Sequence, residues 1–315
     1  MLAAQGDWLP VRAALHPEGL FLALRDIAPL ELRDPFMQET VARISAPERV
    51  VQVARRDCAA EAAGGAPAGI IFHVARAGST LVSQMLKEAG GLVAYSEPLP
   101  FNELLLPPQR WPRTELVAAL GALGGAFARH AQKPYVLKLT SWNTYFCDLL
   151  AEAFPATPWI LCVRDPVEVG VSLVGQLSGW LRGEDEASRQ LLAVVDPGAP
   201  ASTLEERVAH AYGAVCDAAC RLAPARGRLV AYDTLPAAVW DVIAPHFGLA
   251  VDAAGRERMA GAARGNAKAP LAKPAAFSSD SAKKQSAASP ALRAAVEVFA
   301  RPNLIRLFAL HGVPT

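Results

Sequence analysis

Cysteine is scarce: Cys58, Cys147, Cys162, Cys216 and Cys220 are the five in 315 residues. They are too few and too scattered for a disulfide framework, and a reducing compartment suits them. Charge of one sign is lacking too. The 31 basic residues face 30 acidic ones, which excludes the broad basic field that nucleic acid requires, so any polyanion site must be local. No run approaches the ~20 apolar residues that span a bilayer. Residues 1–20 carry Asp7 and Glu18 without the basic start and apolar run of a signal peptide. The expectation is a cytoplasmic protein with neither nucleic acid nor membrane as partner. With 52% apolar residues the chain is far too apolar for disorder, and its length suits one large α/β domain or two ordinary ones.

Residues 1–66 read as an accessory helical region, in which Asp34 and Pro35 cap and open a helix to about Ile44. The small, aperiodic run Ala62–Ala68 reads as a linker, so a second unit is expected over 67–315. From residue 69 short apolar runs alternate with helical stretches. Strands are expected at Gly69–Val74, Leu92–Tyr95, Tyr135–Leu139, Pro158–Val163 and Arg228–Tyr232, with helices at about Ser79–Ala89, Trp142–Ala153 and Pro166–Ser178. That pattern predicts an α/β fold of three layers, α/β/α, around a parallel sheet. Ligands in such sheets meet the carboxyl ends of the strands, so the residues following each strand carry the information. Two stretches fall outside the repeat, 182–203 and 264–290, and both read as lid segments.

The first of these strands runs into His73-Val-Ala-Arg-Ala-Gly-Ser-Thr-Leu81. A tight turn at Gly78, two hydroxyls and a helix N-terminus make an anion site, to which Arg76 adds a fixed charge. The same residues also describe an ordinary turn with an N-capping serine. A Walker A loop is excluded, because no lysine precedes the hydroxyls. The fourth strand ends in Arg164-Asp165-Pro166, with Asp165 an N-cap and Pro166 at the first helical position. Ser172 lies seven residues after Asp165, on the same helix face. Either Arg164 and Ser172 hold a phosphate together, or Arg164 makes an ion pair while Ser172 bonds a backbone carbonyl.

Taken in order, these segments resemble the P-loop-like sulfotransferases, which use 3′-phosphoadenosine 5′-phosphosulfate (PAPS). His73 to Leu81 resembles their 5′-phosphosulfate loop, and Arg-Asp-Pro-Val-Glu-Val-Gly-Val-Ser, from Arg164 to Ser172, resembles their 3′-phosphate motif. Val230-Ala-Tyr-Asp-Thr-Leu235 looks like their later strand end, with Asp233 in place of the usual Glu, and Phe247-Gly-Leu249 fits the stretch after it. The resemblance spans residue 69 to about 300. It is greatest to the arginine-loop type, bacterial and tyrosylprotein, and the lysine loop of the cytosolic enzymes is absent. It implies Arg76, Glu97 and Lys138 as catalytic residues. It implies Arg76, Ala77, Gly78, Ser79, Thr80, Leu81, Arg164, Ser172, Tyr232, Ser278 and Lys284 as cofactor contacts. It further implies sulfuryl transfer from PAPS to a hydroxyl or amine, with adenosine 3′,5′-bisphosphate as product, no metal, and a small-molecule or peptide acceptor.

Two other readings compete. A P-loop kinase would use Asp165 as a Walker B acid, but it lacks its lysine and Arg164 intrudes. A non-catalytic nucleotide-binding module would not need Arg76, Glu97 and Lys138 together. Among the remaining candidates, Cys216 and Cys220, with His210 upstream, lack a fourth metal ligand and read as buried small hydrophobes. His73 reads as a satisfied core histidine. Trp142, Trp159 and Trp180 could line an acceptor pocket, but at their helical and strand positions they read as core.

Overall fold

The computed structural model describes residues 8–28, 30–106, 111–195, 203–264 and 280–313. Strands β1 (Trp8–His16), β2 (Gly19–Asp26) and β3 (Arg49–Ala54) form an antiparallel sheet in that order. This corrects the helical expectation for residues 1–66. Leu9, Val11 and Ala13 alternate inward along β1, as Leu20 and Leu22 do along β2. A two-residue loop joins the strands, with His16 opposite Gly19. Period-two burial of this kind fixes a strand whatever the helix propensity of its alanines. The helix expected from Asp34 is short, Met37–Val41. Asp34 does not cap it but accepts hydrogen bonds from Thr40 and, at 2.7 Å, from Arg43.

Strands β4 (Gly69–His73), β5 (Val93–Ser96), β6 (Tyr135–Lys138), β7 (Trp159–Val163) and β8 (Gly227–Ala231) make a second sheet ordered β5-β6-β4-β7-β8. Every neighbouring pair is parallel. All residues of β4, β6 and β7 are buried, as a sheet covered on both faces requires. The chain leaves β4 to build one side of the sheet and returns to β7 to build the other, so the crevice for a ligand opens beyond the carboxyl end of β4. The helix Ser79–Ala89 has the expected bounds. The stretch expected as a helix from Trp142 opens instead as a 3₁₀ turn, Ser141–Phe146, and becomes α-helical only over Cys147–Ala153. The helix after Pro166 ends at Gly175. Part of each expected lid is helical, Glu186–Val195 and Ser281–Ala287. Of the two, 196–202 and 265–279 lie outside the described residues.

The described residues before Pro67 are packed onto the second sheet's helices rather than tethered. The helix Cys58–Ala62 lies against the helix Arg113–Ala131, where Arg129 pairs with Glu61 at 2.9 Å. Glycines allow that approach: a Cβ at Gly125 would stand 2.2 Å from the Glu61 carbonyl oxygen. A backbone oxygen cannot rotate away, so Gly125→Ala should separate the helices and destabilise the protein by about 1–3 kcal/mol, the scale of overpacking. A urea midpoint equal to that of the unaltered protein would refute this close contact.

Candidate active site

Parallel register brings the strand-end residues together. Ser96 of β5 lies opposite Lys138, the last residue of β6. Glu97, the next residue, donates its backbone N–H to the Lys138 carbonyl at 2.6 Å. On the other side His73 of β4 lies opposite Cys162, and Val163 of β7 opposite Ala231 of β8. Arg164 and Tyr232, one residue past each strand, are thereby neighbours, with the guanidinium 3.9 Å from the ring centroid.

These residues wall a cavity of about 690 Å³. Arg76 to Leu81, Glu97, Lys138, Arg164, Tyr232 and Lys284 line it. Four cations face it, Arg76, Lys138, Arg164 and Lys284, against the two carboxylates Glu97 and Asp280. The N-terminus of Ser79–Ala89 also opens into it, and no side chain caps that helix. Its first amides and its dipole therefore add to the excess of positive potential. Gly78 turns the chain into the helix at φ +82°, and a Cβ there would stand 2.7 Å from Leu235 and 3.1 Å from Tyr232.

Three residues other than glycine have positive φ among those described, and two of them, Arg76 at +63° and Glu97 at +51°, line this cavity. Such backbone costs free energy that surrounding contacts must offset, and it concentrates at functional sites. Lys138, with 1% of its side chain exposed, hydrogen-bonds Glu97 and lies 5.3 Å from the Phe36 ring centroid. Arg76 donates to the Gln176 carbonyl at 3.1 Å and to its side-chain oxygen at 3.0 Å. Arg164 donates from Nε to Glu168 at 2.7 Å and from Nη2 to Asp280 at 2.6 Å. Lys284 takes the other oxygen of Asp280 at 2.7 Å. Burial alone would push the carboxyls of Glu168 and Asp280 up. Hydrogen bonds, from Arg164 to Glu168 and from Lys284 and Arg164 to Asp280, more than offset it and hold both below the ordinary range.

Two expected contacts are not brought in. Ser172 does not line the cavity; its hydroxyl donates to the Glu168 carbonyl at 2.9 Å, the carbonyl alternative left open by the sequence. Ser278 lies outside the described residues. Asp165 does cap its helix, accepting from the N–H groups of Val167 and Glu168. Trp142 and Trp159 are buried, but Trp180 corrects the core reading, since it forms part of the cavity wall. Phe36, Thr140, Ser141 and Asp280 are further lining residues that went unnamed. Thr140 and Ser141 follow a strand directly, so the strand-end rule could have found them. Phe36 left no local signal. Among the described residues no group of three or more His, Cys, Asp or Glu is placed to hold a metal ion, and no helix is long and apolar enough to cross a membrane.

No family model and no curated protein matches the chain. Solved structures do resemble it. The sulfotransferase domain from the Synechococcus PCC 7002 olefin synthase aligns at TM-score 0.43 and 16% identity, over 74% of this chain and 94% of that one. The sulfotransferase domain from the curacin biosynthetic pathway aligns at 0.44 and 14%, over 79% and 99%. A sulfotransferase from Alicyclobacillus acidocaldarius aligns at 0.44 and 16%, over 80% and 98%. Likeness at this level says nothing of donor, acceptor or residue roles.

His73 also borders the cavity, yet its ring is occupied. Nε2 lies 2.9 Å from the Leu139 carbonyl and Nδ1 3.1 Å from that of Val74. Burial, followed by the nearby Lys138 charge, pushes its pKa down to about 4. The unfolded chain takes up this proton near pH 6.5 and the folded protein only near pH 4, so stability is lost as pH falls through that window, by of order 3 kcal/mol. Unfolding free energies at pH 7 and pH 4.5 should therefore differ less in His73→Gln than in the unaltered protein. Equal differences would show that this histidine is not held neutral by the fold.

Proposed function

We propose that this chain transfers the sulfuryl group of PAPS to a hydroxyl or amine of a small-molecule or peptide acceptor. The observation that carries the reading is the convergence of the strand-end residues on one cation-rich cavity around an uncapped helix N-terminus. In this reading the amides and hydroxyls from Gly78 to Leu81 cradle the 5′-phosphosulfate. The acceptor oxygen or nitrogen attacks sulfur in line, the bond from sulfur to the bridging oxygen breaks, and adenosine 3′,5′-bisphosphate departs. Negative charge grows on the bridging oxygen, where Arg76 and Lys138 stabilise it more than they stabilise the bound donor. Glu97 takes the acceptor proton. Arg164, Tyr232 and Lys284 hold the nucleotide and its 3′-phosphate, and Ser172, committed to a carbonyl, is left out of that set.

Incubation with PAPS and a metabolite extract, followed by mass spectrometry, should reveal a sulfated product. A hundred-fold excess of adenosine 3′,5′-bisphosphate over its Kd should stabilise the protein by ~2.7 kcal/mol, while adenosine 5′-monophosphate at the same concentration should do far less. Equal shifts in Tm would remove the 3′-phosphate from the reading.

Glu97→Gln keeps the shape of the side chain and abolishes its basicity. Turnover should fall by ~10²–10⁴, while the folded variant still binds the bisphosphate. Turnover close to that of the unaltered enzyme would exclude Glu97 as the base.

A further inference from the structure

The cations assigned above to the 3′-phosphate already hold an anion. Asp280 gives one carboxylate oxygen to Arg164, at 2.6 Å, and the other to Lys284, at 2.7 Å. The remaining contacts of Arg164 leave little to spare: Nε is bound to Glu168, Nη2 also reaches the Ser281 hydroxyl at 3.5 Å, and Nη1 reaches the Arg76 carbonyl at 3.5 Å. Tyr232 covers one face of the guanidinium. With Glu168 and Asp280 both ionised, Arg164 and Lys284 present no net charge to a newcomer. Each oxygen of Asp280 bridges to a different cation, the arrangement two phosphate oxygens would adopt between the same groups.

The two carboxylates are not equally committed. Glu168 is one helical turn from Arg164, 10% exposed at its side chain, and bonded also by Ser281 at 2.9 Å. Asp280 is 44% exposed and faces the cavity. Displacing it releases a half-exposed carboxylate that water can take up, whereas displacing Glu168 would strand a buried one.

From this geometry we infer that Asp280 is an exchangeable internal counter-ion: it takes the phosphate position between Arg164 and Lys284 and yields it to the 3′-phosphate of the incoming nucleotide. The inference rests on the assignment of Arg164 and Lys284 to that phosphate. Binding is then an exchange of one anion for another, which lowers affinity for the bisphosphate and speeds its departure, since the carboxylate competes for the same donors as the product leaves. A nucleotide without a 3′-phosphate never reaches the pair and gains nothing from its release.

Titration calorimetry of the full chain with adenosine 3′,5′-bisphosphate and with adenosine 5′-monophosphate tests this directly. In Asp280→Asn the Kd for the bisphosphate should fall by about ten-fold, the scale of one partly exposed charge set. Its dissociation, followed by stopped flow, should slow in proportion, with the Kd for the monophosphate unchanged. Asp280→Ser should behave alike, which guards against a folding defect in either variant. Unchanged or weaker bisphosphate binding in both folded variants would overturn the exchange and make Asp280 a support for the cations. Equal tightening of both nucleotides would also overturn it, because the carboxylate would then act as a general field. Should neither nucleotide bind the unaltered protein or the variants, the nucleotide reading itself falls, and the exchange with it.

Discussion

An ammonium group buried at the end of an apolar strand is the constraint from which this site follows. Lys138 closes β6, whose other residues are Tyr135, Val136 and Leu137, and its side chain is 1% exposed. A charge so placed must be compensated locally, because the sheet around it offers no solvent. Glu97 meets that demand, and does so from a left-handed backbone that only a strong local tie would hold. Phe36 offers the face of its ring as well. His73, one strand away, is kept neutral partly by the same ammonium. One buried charge thus decides the state of three neighbours.

The demand reaches into the first 66 residues. Phe36 belongs to the segment after Asp34, and that segment is fixed to the helix Ser79–Ala89. Lys87 donates to the Asp34 carbonyl, and Gln84 donates to that of Arg33 at 3.2 Å. The helix whose N-terminus opens into the cavity therefore also carries, two turns on, the anchors for a wall of the cavity. Glu103, on the helix Leu99–Leu105 just after Glu97, accepts the Ala13 backbone N–H of β1 at 2.7 Å and pairs with Arg12. The antiparallel sheet is thus tied to the same helices that frame the site. It is part of the site's construction rather than an appendage.

Where structure was decided by neighbours in sequence, the sequence could be read. The Gly78 turn into Ser79–Ala89 and the Asp165 cap with Pro166 behind it are local devices, and both stand where the residues put them. The places of the five parallel strands along the chain followed from the alternation of apolar runs with helical stretches, but their order in the sheet did not, since β6 lies between β4 and β5. What failed was decided at a distance or by competition. The β1 and β2 alternation was present, with Pro17, Glu18 and Gly19 as a turn signal, but alanines at positions 13 and 14 of β1 and position 23 of β2 masked it. Ser172 had two acceptable partners, and its hydroxyl bonds the carbonyl one turn back. Phe36 and Trp180 reach the cavity only through tertiary packing, and an aromatic residue reads the same in sequence whether it faces a core or a ligand.

One helix holds the two site arginines apart. Arg164 sits at the start of the helix Pro166–Gly175 and folds its guanidinium back to Glu168, one turn in. Arg76 lies along the same helix: its carbonyl faces Arg164 at 3.5 Å, while its guanidinium is held at the far end by Gln176. Ten helical residues correspond to about 15 Å. The Arg76 guanidinium is thereby held by protein partners at one end of this helix, and that of Arg164 at the other. An anion that draws one guanidinium from its partners leaves the contacts of the other in place, so the two arginines can be engaged independently.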